Sequence, residues 1–124
     1  MNEIDLREAT YEAEYSLLGA ILLMSENTDA LKQCLKITPP SDFLNYHYGE
    51  IYQAMNDAAG PPNQIVVAHE LVRMGKFVAG DCALLSEMVA RCPSPLDFIH
   101  YARVVHEYSL QRGGKARPVF KGGV

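Results

Sequence analysis

The chain has 124 residues, enough for one domain, and its 48% hydrophobic and 21% charged content is ordinary for a globular protein, which excludes disorder, collagen-like sequence and coiled-coil composition as whole-chain readings. The net charge of −4 lacks the basic surplus of a dedicated DNA-binding domain, and it is unevenly spread: up to Gln111 seven basic residues face all fifteen acidic ones (net −8), whereas residues 112–124 hold four basic residues and no acid (net +4). No apolar run approaches the ~18–20 residues of a membrane span. An acidic start argues against a secretory signal, and three cysteines without a CxxC pair fit buried thiols in a reducing cytoplasm.

Residues 1–9 are polar and acidic and read as a flexible lead-in. Thr10 is an N-cap for a helix over 11–24, with Glu12 in its first turn; positions 11, 15, 18 and 22 share one face, with 17 and 21 beside them. Ser25 caps a short helix over 26–36 that carries Leu31, Cys34 and Leu35 and ends at Pro39-Pro40. Ser41-Asp42 is a second cap signal before Phe43. A helix over 46–59 then carries Tyr48, Ile51, Tyr52 and Met55 until Gly60-Pro61-Pro62 stops it.

Residues 64–74 place Ile65, Ala68, Leu71 and Val72 at helical intervals, and Gly75 is a natural C-cap. The β-branched run Ile65-Val66-Val67 offers a strand at the start of this segment, but the Ala-His-Glu-Leu continuation and the glycine stop favour a helix. Gly80-Asp81 opens a helix over 82–92 with a wide apolar face (Leu84, Leu85, Met88, Val89, Cys92). Pro93-Ser94-Pro95 forms a tight connection, with Ser94 as N-cap and Pro95 at the first helical position of a helix over 96–110. The pattern predicts an all-α fold of six helices, the last two forming an antiparallel hairpin. It divides the chain into a lead-in (1–9), a helical domain (10–111) and a disordered basic tail (112–124), the tail bracketed by Gly113-Gly114 and Gly122-Gly123.

Catalytic constellations are missing from the sequence. His69-Glu70 begins like a zinc-protease motif, but the second histidine's position holds Arg73. Gly75-Lys76 lacks the surrounding pattern of a phosphate-binding loop, with Glu70 and Phe77 at the positions that loop needs for glycine and Ser/Thr. Cys82, Cys92, His100 and His106 have no close metal-ligand pairing. The expectation is no catalytic residue, no metal and no cofactor.

Two features call for a partner. Glu14 falls within the apolar stripe of the first helix, beside Leu18 and Ile21. It either reaches solvent from the helix start or is a structural carboxylate that caps a neighbouring helix or pairs with an arginine. The last helix carries a main stripe, Phe98, Tyr101, Ala102, Val105 and Tyr108, that faces the domain, and a second of Leu96, Ile99 and Leu110 with Arg103 and His106 beside it. That second stripe faces either the hairpin partner helix or another subunit.

Several stretches together resemble a known family. Glu12-Ala13-Glu14-Tyr15-Ser16-Leu17-Leu18-Gly19-Ala20-Ile21-Leu22 resembles the opening helix of the N-terminal domain of the DnaB-type bacterial replicative DNA helicase. In the same order follow Asp42-Phe43 with His47 and Ile51-Tyr52-Gln53-Ala54-Met55, then Val67-Ala68-His69-Glu70-Leu71 with Gly75 and Gly80, then Pro93-Ser94 and Tyr101-Ala102-Arg103-Val104-Val105. The resemblance spans roughly residues 10–108. It departs at Asn63-Gln64, where an acidic-then-Thr pattern is usual, and at Gly80-Asp81, where a glycine pair is usual.

The resemblance implies an all-helical globule with a hairpin that pairs head to head, building the collar of a hexameric ring on which primase or a helicase loader docks, with little DNA contact. The family continues into a linker helix and a RecA-type ATPase, whereas this chain runs into Gly113-Gly114 and stops, so helicase and ATPase activity are not carried over. Three functions follow as expectations. The first is a non-catalytic oligomerisation and protein-docking module in the cytoplasm, associating with itself through Leu96, Ile99, Arg103, His106 and Leu110. The alternative is a small nucleic-acid-binding module acting through the basic tail. The third, a small enzyme, has no local feature to support it.

Overall fold

A computed structural model describes residues 2–113. They form six α-helices, α1 (Glu3–Leu23), α2 (Thr28–Ile37), α3 (Tyr46–Asp57), α4 (Gln64–Met74), α5 (Asp81–Arg91) and α6 (Phe98–Gln111), with 3-10 turns at Pro40–Asp42 and Pro95–Asp97 and no strand among the described residues. The run Ile65-Val66-Val67 is helical from its first residue.

Asparagine starts four of these helices. The side-chain oxygens of Asn2, Asn27, Asn45 and Asn63 accept the backbone N–H of Asp5, Asp29, Tyr48 and Val66, each satisfying a donor that the first helical turn leaves open. α1 therefore begins seven residues before the expected Thr10 cap, and residues 3–9 are helix, not a lead-in. Thr10 lies inside the helix, buried, and its hydroxyl donates to the carbonyl of Leu6 at 2.7 Å. Likewise α2 starts from Asn27, not Ser25. α4 ends where expected: Gly75 takes a left-handed conformation (φ 74°), and Lys76 N–H returns to Leu71 O at 2.8 Å.

α1 runs through the middle of the molecule. Leu17, Leu18, Ile21 and Leu22 are buried on it, and α3, α5 and α6 all pack against it. Phe43 and Tyr52 stack with centroids 4.7 Å apart beneath α1, and the Tyr52 hydroxyl is satisfied by Thr38 O at 2.9 Å. Leu71, Leu85, Met88, Ala102 and Val105 close the core from α4, α5 and α6. Cys34 lies in this core, its thiol pushed up to about 12 by burial, which makes it inert.

α5 and α6 follow each other across a short connection, but each spends its main contact on α1; the extensive mutual packing of a hairpin is not how they are held. The reason is visible at Gly19. A Cβ there would sit 2.4 Å from the carbonyl oxygen of Met88 and 3.2 Å from Cys92 Cβ. The missing side chain lets the α5 backbone lie directly on α1, which takes the apolar face of α5 away from its successor.

Candidate functional site

The second stripe of the last helix divides in the structure. Leu96, in the turn that leads into α6, is 75% exposed, Leu110 is 53% exposed, Arg103 is exposed and Ile99 is half-buried. With His106 these positions alternate by three and four residues, a seam suited to a facing helix. Among the described residues Leu96, Arg103 and Leu110 of it stay exposed, while α6 gives an adjoining side, Ala102, Val105 and Ser109, to the core it shares with α1 and α2. An apolar seam left open beside an arginine has the composition of a protein interface.

His106 turns partly away from that seam. Its Nδ1 lies 2.8 Å from Asp42 Oδ2, which also accepts the Thr38 hydroxyl at 2.7 Å. Asp42 Oδ1 accepts the Ser109 hydroxyl at 3.0 Å, and the backbone carbonyl of Asp42 accepts Arg112 Nη2. One nearly buried aspartate thus ties α6 to the turn after α2 through three donors, with Thr38 at the end of α2 as a fourth, local one, in a low-dielectric setting that strengthens each bond. The sequence presents Asp42 as a cap for the segment that follows; apart from Thr38, its partners lie 64–70 residues away and leave no local trace. Arg112, assigned to the tail on composition, is part of this tie. Burial lowers its guanidinium below the ordinary value, opposed by the negative charges of Glu14 and Asp42. The rest of the expected tail, residues 114–124, lies outside the described residues.

Glu14 is fully buried. Its two carboxylate oxygens accept separate backbone donors, Leu44 N at 2.6 Å and Asn45 N at 3.0 Å, immediately before the first turn of α3. A negative charge at that place also faces the positive end of the α3 dipole. Its role is therefore to anchor α3 on α1.

A shallow groove of about 280 Å³ between α4 and α5 is lined by Ile65, Ala68, His69, Cys82 and Leu85. Among the described residues no group of three His, Cys, Asp or Glu side chains is placed to hold a metal ion, and no helix is long and apolar enough to cross a membrane. His69-Glu70 does not act as a pair: the Glu70 carboxylate is held by the Arg73 guanidinium one turn on.

Comparison with known proteins places this architecture. Residues 7–107 match the family model of the DnaB-like helicase N-terminal domain. The chain is 30% identical over 105 residues to the replicative DNA helicase DnaC of Bacillus subtilis, and 31% identical over 105 residues to the replicative DNA helicase DnaB of Geobacillus stearothermophilus. Each match takes in 82% of this chain but 22% of the relative, so the chain spans about a fifth of the curated helicases it resembles. The crystal structure of the N-terminal domain of DnaB helicase from Mycobacterium tuberculosis superimposes with a TM-score of 0.70 at 28% identity, over 81% of this chain and 73% of that one. In sequence and in fold, the chain belongs to the DnaB-like helicase N-terminal domain family.

Proposed function

We propose that this chain is a non-catalytic oligomerisation and protein-docking module of a replicative DNA helicase system, working in the cytoplasm. In this reading it contributes to the collar of a helicase ring, associates with a second copy of itself, and offers its outer surface to primase or a helicase loader. The observation that carries the reading is the open seam of α6, where Leu96, Ile99, Arg103 and Leu110 stand at heptad-like spacing with nothing of this chain's described residues over Leu96 and Leu110. Family membership supplies the context, because the matched relatives are replicative DNA helicases and this chain corresponds to about a fifth of their length, the helicase N-terminal domain.

Sedimentation velocity over a concentration series tests it. The expected result is concentration-dependent association that Ile99→Asp weakens while the far-ultraviolet circular dichroism stays the same. A strict monomer at high concentration, or association unaltered by Ile99→Asp, overturns the assignment of the seam.

A further inference from the structure

His47, the second residue of α3, sits between two carboxylates. Its Nδ1 is 2.8 Å from Glu50 Oε1 and its Nε2 is 2.9 and 3.0 Å from the two oxygens of Asp81, the first residue of α5. Ionised carboxylates only accept hydrogen bonds, and a neutral imidazole has one N–H to give. Both contacts are satisfied together only by the doubly protonated ring.

Asp81 is nearly buried and holds more than the histidine: its Oδ2 accepts the backbone N–H of Val78 at 2.8 Å. Val78 belongs to the connection between α4 and α5, residues 75–80, which begins and ends on left-handed glycines, Gly75 (φ 74°) and Gly80 (φ 96°). The same connection sends Lys76 to the other Glu50 oxygen at 3.6 Å. Between these straps stand two apolar side chains, Phe77 at 38% and Val78 at 51% exposure.

We propose that His47 is a proton-dependent latch: as the imidazolium it holds Asp81, and through it the 75–80 connection, to α3 by bonding two carboxylates at once, and on losing a proton it keeps an N–H for only one of them, which loosens that connection and further exposes Phe77 and Val78. Charged groups approach this corner of the molecule from several elements. Glu50 comes from α3 itself, Asp81 from α5, and Lys76 from the connection, where it answers Glu50 and not the ring. On α1, Glu14 is bonded to Leu44 and Asn45, and on α4 Glu70 is bonded to Arg73. Burial alone would lower the pKa of the ring, but hydrogen bonds to Glu50 and Asp81 and their negative charges outweigh it and hold the value above that of a free histidine. The latch is therefore closed below about pH 6.5, the ordinary histidine value, and opens as the pH rises through the raised value.

The chain contains no tryptophan, so Phe77→Trp places a single reporter at the tip of the connection. Its emission maximum is expected to shift to longer wavelength as the pH rises, with the midpoint at which the His47 ring titrates by nuclear magnetic resonance. In Phe77→Trp with His47→Gln the pH dependence is expected to vanish, because the amide does not titrate. An equal shift with and without His47, or no shift while the ring titrates, overturns the latch. Should His47→Gln fail to fold, the parent chain decides alone: the Val78 amide resonance must move with the midpoint of the His47 ring, and a different midpoint or no movement overturns the proposal.

Discussion

Replacing Glu14 tests the central anchor of the fold. Its carboxylate is fully buried, and it meets two backbone N–H groups, those of Leu44 and Asn45, on separate oxygens. A hydrogen bond to a charged group contributes roughly 1.5–3 kcal/mol, and a buried donor stripped of its acceptor costs about its full desolvation. Glu14→Ala strips both donors and is expected to cost about 3–6 kcal/mol, a large fraction of the ~5–15 kcal/mol that holds a domain folded. Glu14→Gln keeps one acceptor oxygen but turns an amide NH₂ towards the other donor, so its expected cost is about half, ~1.5–3 kcal/mol. Urea unfolding followed by circular dichroism orders the three proteins as wild type, Gln, Ala in falling stability. If Glu14→Ala costs less than ~1 kcal/mol, or the glutamine variant matches the wild type, the carboxylate is not what holds α3 against α1.

Three further outcomes are expected. Gly19→Ala drives a Cβ into the carbonyl oxygen of Met88, a backbone atom that cannot swing aside. A cost of about 1–3 kcal/mol lowers the thermal midpoint measured by calorimetry, and an unchanged or raised midpoint refutes the close approach of α1 and α5. Because the folded state raises the His47 pKa, the stabilisation from its ion pairs is complete below pH ~6.5 and declines as the pH climbs through the raised value; urea midpoints for wild type and His47→Gln should converge on the alkaline side. In gel-shift assays at low salt, any DNA retardation by the full chain is expected to disappear when the chain ends at Gly113, which removes Lys115, Arg117 and Lys121 but spares the Arg112 tie; equal retardation by both chains sinks the tail as the DNA-binding element.

Local chemistry was legible where it was complete within a few residues. The bounds of α4 were readable because its apolar period, its stop at Gly75 and the prolines before it all lie within the segment. The opening of α1 was not, because Glu3, Asp5, Arg7 and Glu8 are exposed and carry no apolar period; the one sign was Asn2, whose cap is seen only once the turn is formed. The short connection between α5 and α6 predicts a hairpin, but their packing depends on the gap that Gly19 leaves in α1, sixty-nine positions before Met88. In the candidate seam, helical angle puts Leu96, Ile99 and Leu110 on one stripe but leaves open what faces it; the exposure of Leu96 and Leu110, like the bond from His106 to Asp42, is set by packing between distant segments. Asp42 itself reads as an ordinary turn residue until α6 is laid across it. What a sequence pattern conveys is which face is apolar; which helix arrives to cover it depends on contacts between distant segments.

The central place of α1 has a consequence for how the chain is made. α1 is synthesised well before α5 and α6, two of the three helices that pack on it. While the chain grows, α3 can pack on α1 early, but the share of its apolar surface that α5 and α6 bury waits for segments much further on, as Gly19 waits for Met88. Such distant pairings slow folding, and they leave an apolar helix accessible to chaperones or to the α1 of another nascent chain until α6 has emerged. The Asp42 tie to His106, Ser109 and Arg112 can close only once α6 has been made, beside the seam on which association with another copy is proposed to depend.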